Sequence, residues 1–437
     1  MRVVIIGAGM TGIGAAHALR EGGRKRRVEC TIVERENRPG GLCRTEEKGG
    51  FLFDYTGHLL HFKTEMFRHL IEKNLPSGIV ANKRSSWIYS NDVYTRYPFQ
   101  ANLHGLPRDI IIECLYEFMK VAFTDRSQSA RNLDEWITMR FGKGIAGYFM
   151  NPYNLKLFRR QLSELTVDTL GRFVALPDAR QIIKGAISES DEEIGYNASF
   201  WYPRRGGIEE VVRALVRDLP RVETCQEVAQ VDLARRIVVT AAGRTYPFDA
   251  LVSTMPVTQL VRVIKRVPPQ VRKAAERLRH VSVLNVNFGV KKGVIGRHWV
   301  YVPEKKFIFY RVGFPHNFAV RLAPGGTGSI YTEITYTPGE QVDQERTARK
   351  VEKDLVSMGI VRNRSEILVR KILDIPYGYV HFDHKREVSL SAIQSFLLAS
   401  RVFSVGRFGS WTYTSMEDSF VEGFRTGQKI LKTMGGR

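Results

Sequence analysis

Cysteine is scarce in this chain of 437 residues: Cys30, Cys43, Cys114 and Cys225 are its full complement, and no two stand in C-x-x-C spacing. That excludes a disulfide framework and a cysteine-built zinc site, and it fits a reducing, cytoplasmic setting. No apolar run reaches the roughly eighteen residues of a membrane-spanning helix. Histidines such as His58, His61, His69, His381 and His384 lack H-E-x-x-H spacing, so no metal is expected. G-x-S-x-G and P-loop signatures, internal repeats and long linkers are also missing. Acidic residues are the remaining shortage, with 45 Asp+Glu against 66 Lys+Arg and a net charge of +21. Such an excess admits nucleic acid, an anionic membrane surface or a small anionic substrate. Its densest run, Arg20 to Arg27, falls between a predicted helix and strand, where a solvated turn is the simpler reading. Basic residues and aromatics do not combine into a nucleic-acid motif, so nucleic acid is not an expected partner. What is present, 43% hydrophobic and 11% aromatic residues, is globular composition with enough chain for a core that needs no staple.

The amino terminus is the most informative stretch. Met1-Arg2 and the following apolar residues superficially suggest a secretory signal, but cleavage would discard a coherent nucleotide-binding unit. Val3 to Ile6 suits a buried parallel strand, and Gly7, Gly9 and Gly12 follow in G-x-G-x-x-G spacing before a helix. The turn brings backbone amides and the positive helix end to a pyrophosphate. Glu29 to Val33 reads as a second strand ending on Glu34, placed to accept ribose hydroxyls. FAD and NAD share this entry.

Arg38-Pro39-Gly40-Gly41-Leu42-Cys43-Arg44-Thr45 comes next, with a Gly-Gly pair that lets backbone approach a long dinucleotide. This segment resembles the flavin amine-oxidase superfamily, which favours FAD. Phe51 to His58 is similar to the F-D-x-G-G-H segment of UDP-galactopyranose mutases, and Arg96-Tyr97-Pro98-Phe99-Gln100 to their Y-P-F-Q segment. Leu133 to Trp136, Phe149 to Asn154, Asn197 to Phe200, Leu251 to Met255, Trp299 to Tyr301, Phe309 to Arg311 and Gly406 to Tyr413 recur in the same order in the eukaryotic-type mutases. On this ordered series the chain is identified as a member of that family or of a close sister group.

The resemblance implies an α/β fold: a Rossmann-like FAD-binding domain built from residues 1–82, 203–260 and 386–437. It carries an inserted helical domain at 101–195 and an inserted antiparallel-sheet domain at 281–385. Periodicity agrees for the helical part, where Ile110, Ile111, Cys114, Leu115 and Phe118 share a face. In that family reduced FAD is the nucleophile: N5 attacks the anomeric carbon of a nucleotide-diphosphate sugar, and the sugar recloses with a different ring size. The expected cofactor residues are Gly7, Gly9, Gly12, Glu34, Gly41, Leu42, Gly57, His58, Val228, Gly406, Arg407 and Ser419. Arg311, Tyr379 and Tyr413 match the diphosphate donors, with Tyr377 an alternative to Tyr379. Trp299, Tyr301 and Asn197 match the sugar pocket, and Tyr97, Gln100, Phe149 and Asn154 the nucleobase surroundings. Arg84 and Ser86 fall where NADPH docks in the eukaryotic-type enzymes; a separate flavin reductase is the other electron source. A homo-oligomer is compatible with all of this.

Three departures bear on the substrate. Phe173 stands where a second diphosphate arginine belongs, with Arg172 one step early, about 100° away on a helix; Arg159 and Arg160 are alternative donors. Phe158 replaces the nucleobase tryptophan. The loop after Tyr413, Met416 to Phe420, is shorter and lacks the usual asparagine. The alternative activity is an FAD-dependent oxidase or dehydrogenase of the amine oxidase or protoporphyrinogen oxidase type.

Overall fold

The computed structural model describes residues 1–23, 27–123, 129–170, 174–189 and 198–434. Arg172, Phe173 and Asn197, and Arg24 within the basic run, lie outside the described residues.

The β-branched run Arg2–Ile6 is buried on both faces, as the central strand of a parallel sheet must be. Its sheet has five strands in the order Val402–Ser404, Ala250–Ser253, Arg2–Ile6, Glu29–Val33, Val222–Glu223, all parallel. The helix Met10–Gly23 follows the first strand directly, and small residues on it, Ala15 and Ala18, let the carboxyl-terminal helix Met416–Met434 approach at Gly423 and Gly427. One sheet is thus assembled from the beginning, middle and end of the chain.

A second, seven-stranded sheet runs Ile367–Val380, His280–Val290, Gly328–Tyr336, Arg311–Gly313, Trp299–Tyr301, Ser86–Ser90, Val93–Arg96. The sequence reading expected an antiparallel sheet confined to 281–385. Instead, two strands come from residues 86–96, and Trp299–Tyr301 pairs in parallel with Ser86–Ser90. The same stretch also holds the helix Gln344–Ser357, whose Ala348, Val351 and Leu355 pack on Val286 and Phe288. By strand alternation the opposite face carries Asn285 and Asn287, both buried. Polar groups on a buried sheet face are costly unless paired, and Asn285 donates to the Thr332 carbonyl at 3.1 Å. That polar face is where the candidate site lies.

The helical layer contains Arg108–Ala122, Leu133–Ile145, Asn151–Phe158 and Ala179–Ile187. Ile110, Cys114 and Phe118 are buried as the periodicity requires, with Ile111 and Leu115 at the half-buried margin. Lys156 anchors the third helix to the large sheet by donating to the carbonyls of Val302, Glu304 and Phe309 at 2.8, 3.1 and 2.6 Å.

Burial lowers the pKa of His58, His61, His280, His298 and His381 to about 4 each. An unfolded histidine titrates near 6.5, so below that pH the unfolded chain binds protons that the folded chain refuses. Stability should therefore fall as pH drops from about 6.5 towards 4, by on the order of 1 kcal/mol per pH unit for each imidazole. Asp54 acts in the opposite direction, since burial raises it to about 6, but it is one group against five. Urea midpoints at pH 7 and pH 5 test this; equal midpoints would contradict it.

Candidate functional site

The nucleotide cradle is built at the carboxyl end of the first strand. Gly7 has φ +94°, and a Cβ at Gly12 would stand 2.0 Å from the Gly7 carbonyl oxygen, so turn and helix close on each other as only glycine permits. The chain also brings Gly41 against Gly9: a Cβ on Gly41 would lie 3.3 Å from the Gly9 Cα. Arg44 holds this second loop by donating to the Gly41 carbonyl at 2.9 Å and pairing with Glu36 at 2.9 Å. Glu34 is 6% exposed, and its two carboxylate oxygens accept from Ala8 N at 2.7 Å and Glu36 N at 3.0 Å. Each oxygen retains lone pairs for a further donor. Val228 opens a strand next to Gln226, whose amide donates to the Glu34 carbonyl at 2.8 Å.

A second group gathers on the polar face of the large sheet. Arg311 and Glu333 are registered opposite each other on adjacent strands. Nε and Nη2 of Arg311 donate to the two carboxylate oxygens at 2.9 and 2.8 Å, and the Tyr310 hydroxyl donates to the same carboxylate. Glu333's side chain is 1% exposed, so this bidentate pair is desolvated. Burial, the largest single influence, would lower the Arg311 pKa, but the Glu333 charge together with the surrounding Tyr379, Tyr331 and Tyr310 raises it overall. Arg311 stays charged.

Arg311 Nη2 also reaches the Tyr379 hydroxyl at 3.3 Å, and the Tyr379 ring stacks on Tyr413 with centroids 5.8 Å apart and planes 10° from parallel. Burial pushes Tyr379 up to about 12, against the pull of Arg311. It is a neutral phenol that can donate. Arg407 lies over the Tyr413 ring at 4.3 Å and donates to the carbonyls of Gly378 and Thr414 at 3.1 and 3.3 Å. It has no carboxylate partner among the described residues, so the group as a whole is cationic. His58 sits in the field of Arg407 and Arg311, and burial first, then Arg407, keep its imidazole neutral. Its Nδ1 is buried with no hydrogen-bond partner among the described residues.

The family of flavin-containing amine oxidoreductases matches residues 10–431. The chain belongs to that family. The flavoenzyme superposes on reduced UDP-galactopyranose mutase with a TM-score of 0.93 at 26% identity, covering 99% of this chain and 94% of that one. Cyclohexylamine oxidase from Brevibacterium oxydans IH-35A shares the fold, with a TM-score of 0.70 at 15% identity and 99% of both chains covered. Coproporphyrinogen III oxidase of Staphylococcus aureus is 32% identical over 115 residues, which is 25% of this chain and 23% of that protein. This curated relative is therefore matched over about a quarter of its length. No described helix is long and apolar enough to cross a membrane.

FAD is the cofactor that the family and the mutase structure support, and the residues fit it. The Gly9–Gly41 approach leaves a cradle that any Cβ would fill. Amides at the start of Met10–Gly23 face outward for phosphates, and Glu34 keeps acceptor capacity for ribose. Two buried ring nitrogens, His58 Nδ1 and Trp299 Nε1, have no hydrogen-bond partner among the described residues. A flavin ring system would answer such groups. Gly57 packs against the Tyr331 hydroxyl and Gly406 against Thr11, both in well-packed loops, while Ser419, bonded to Thr414 at 2.8 Å, lies in the first turn of the helix Met416–Met434 rather than in the expected loop. Leu42 is half-buried beside Gly41.

The other expected residues divide. Tyr97 and Tyr301 rings meet at 4.9 Å, Tyr301 meets Tyr153 at 5.4 Å, and Phe149 stacks on both Phe99 and Tyr153. Trp299 borders this region at 8% exposure. Gln100 donates to the Ala175 carbonyl at 2.6 Å, and its own buried oxygen has no partner among the described residues. Asn154 spends its amide on the Met150 carbonyl at 2.7 Å, within its own helical segment. Phe158 is buried edge-on to His381 rather than against the tyrosine group. Arg84 lies over the Tyr97 ring at 5.4 Å, while Ser86 is buried in its strand. Tyr377 points elsewhere, bonded by Gln259 at 2.8 Å, so Tyr379 is the phenol beside Arg311. Arg159 and Arg160 are not in this group: Arg160 pairs with Glu164 and Asp383, and Arg159 with Glu340. The sequence reading assigned no role to Glu333, Tyr153 or Tyr310. A lone charged residue inside the otherwise uncharged strand Gly328–Tyr336 was the available signal for Glu333.

Proposed function

We propose that this flavoenzyme interconverts pyranose and furanose forms of a nucleotide-diphosphate sugar. The observation that carries the reading is the fixed cationic and phenolic group of Arg311, Arg407, Tyr379 and Tyr413 beside a neutral His58. When bound, reduced FAD supplies a nucleophilic flavin nitrogen for the anomeric carbon. The residues of the chain bind and orient. Arg311 uses Nε and Nη2 on Glu333 and keeps Nη1 for a phosphate oxygen. The phenols of Tyr379 and Tyr413 donate to the diphosphate as charge builds on it, and preorganised donors of this kind need no rearrangement during the reaction. The Tyr97–Tyr301–Tyr153 rings offer faces for the base and sugar. Arg172 is proposed as a further diphosphate donor and Asn197 as a sugar-pocket amide. Electrons come from NADPH at Arg84 or from a separate reductase.

A panel of UDP-, GDP- and TDP-hexopyranoses incubated with dithionite-reduced protein, followed by chromatography, tests the reading. At least one should give a furanose isomer, and only with reduced enzyme. The alternative, an oxidase or dehydrogenase, has the coproporphyrinogen III oxidase likeness in its favour. It requires bleaching of oxidised flavin by a substrate that carries no nucleotide.

A further inference from the structure

A cleft of about 620 Å³ has a lining distinct from that of the candidate site, although its Val281 is registered opposite Tyr379. It lies between the helices Val257–Val263 and Pro269–Arg277, the ends of the strands His280–Val290 and Ile367–Val380, and the turn after the helix Asn151–Phe158. Among the described residues, five arginines line it, Arg159, Arg160, Arg262, Arg272 and Arg279, against one acid, Glu276. Arg159 and Arg160 are paired with acids, and Arg279 donates to the Glu276 carbonyl. Arg262 and Arg272 have no ion pair among the described residues. Cations of like sign around one cavity repel each other unless an anion enters.

An independent observation points to a ligand. His381 lines the cleft at 6% exposure, and neither ring nitrogen has a hydrogen-bond partner among the described residues. The Phe158 carbonyl faces the ring without meeting hydrogen-bond geometry. A buried imidazole offers one donor and one acceptor, and native proteins rarely leave both unanswered. Beside it, His280 and Tyr377 stack at 4.2 Å and 12°, which gives the cleft a flat wall.

We propose that this cleft binds a small polyphosphate, a chain of two or more linked phosphates carried free or on a nucleoside. Guanidinium forks match phosphate oxygens in pairs, and the volume is that of a small-ligand site. Linked phosphates bridge Arg262 and Arg272 on one side to Arg159 and Arg160 on the other, which ties the helical layer to the parallel-sheet layer. The cleft shares no lining residue with the Arg311 group, so the two readings stand or fall separately.

Calorimetric titration of the full-length, FAD-loaded protein with inorganic tripolyphosphate and with ATP is the test. Tripolyphosphate should bind, and Arg262→Ala/Arg272→Ala should weaken it by about tenfold or more. Both arginines are exposed on helices, so this variant keeps its fold. Arg311→Ala/Glu333→Gln should leave the affinity unchanged, and ligand should shift the His381 ring resonances. Equal affinity for tripolyphosphate and ATP assigns recognition to the phosphate chain alone; tighter ATP binding with the same arginine dependence adds the base to the His280–Tyr377 wall. No binding, or binding indifferent to Arg262 and Arg272, or binding lost with the Arg311 pair, overturns the proposal.

Discussion

Arg311→Ala should lower turnover of the nucleotide sugar by about a thousandfold, the upper range for removing one preorganised donor to a developing anion. It should also destabilise the protein. Glu333 would be left buried without its cation, and breaking a buried pair in this way costs about 3–5 kcal/mol. The two effects separate in a double variant. Arg311→Ala/Glu333→Gln removes the stranded charge, so stability should largely return while turnover stays low. If turnover returned as well, Arg311 would serve only to neutralise Glu333 and would not act on substrate. Glu333→Gln alone should keep flavin and lose part of the rate, because Arg311 then loses the bidentate anchor that fixes its remaining edge.

Gly12→Ala should yield protein without flavin, and little of it. The added methyl would stand 2.0 Å from the Gly7 oxygen, and that atom is backbone, held where Gly7 N donates to Val33 O at 2.8 Å. The strand, the turn and the helix cannot all stay in place, and a core overlap of this kind costs at least about 1–3 kcal/mol. The flavin absorbance of purified protein and its melting temperature report the two losses. A yellow variant of wild-type stability would mean that the turn does not hold the pyrophosphate.

Much of this was legible in the sequence because it is local. The glycines at 7, 9 and 12, the strand before them and Glu34 after them are each fixed by sterics within some thirty residues, and the structure places them together. The ordered family segments did the same for Arg311 and Arg407, which stand far apart in the chain, whereas only the structure separates Tyr379 from Tyr377. Strand partnership was less accessible. Ser86–Ser90 joins Trp299–Tyr301 across more than two hundred residues, and no local pattern announces such a pairing. Glu333 escaped for a related reason. Its role exists only through the register that sets it opposite Arg311, and one acid in an otherwise uncharged strand does not say what it faces. Phe158, expected from the resemblance near the nucleobase, and Arg160, an alternative diphosphate donor, meet His381 and Asp383 at the end of the helix.

The charge excess also acquires an address. Arg311 and Arg407 account for a cationic site, and five more arginines surround one cleft. Others, such as Lys156 and Arg44, hold backbone carbonyls inside the fold.

The central claim is that the reduced enzyme breaks and remakes the bond between the anomeric carbon and the diphosphate. Positional isotope exchange measures this directly. A nucleotide hexose found active in the panel is labelled with heavy oxygen at the anomeric bridge and followed by phosphorus NMR. Reduced enzyme should scramble the label into the non-bridging positions of the β-phosphate, and oxidised enzyme should leave it in place. A label that stays at the bridge while the sugar changes, or that moves equally with oxidised enzyme, would contradict the account.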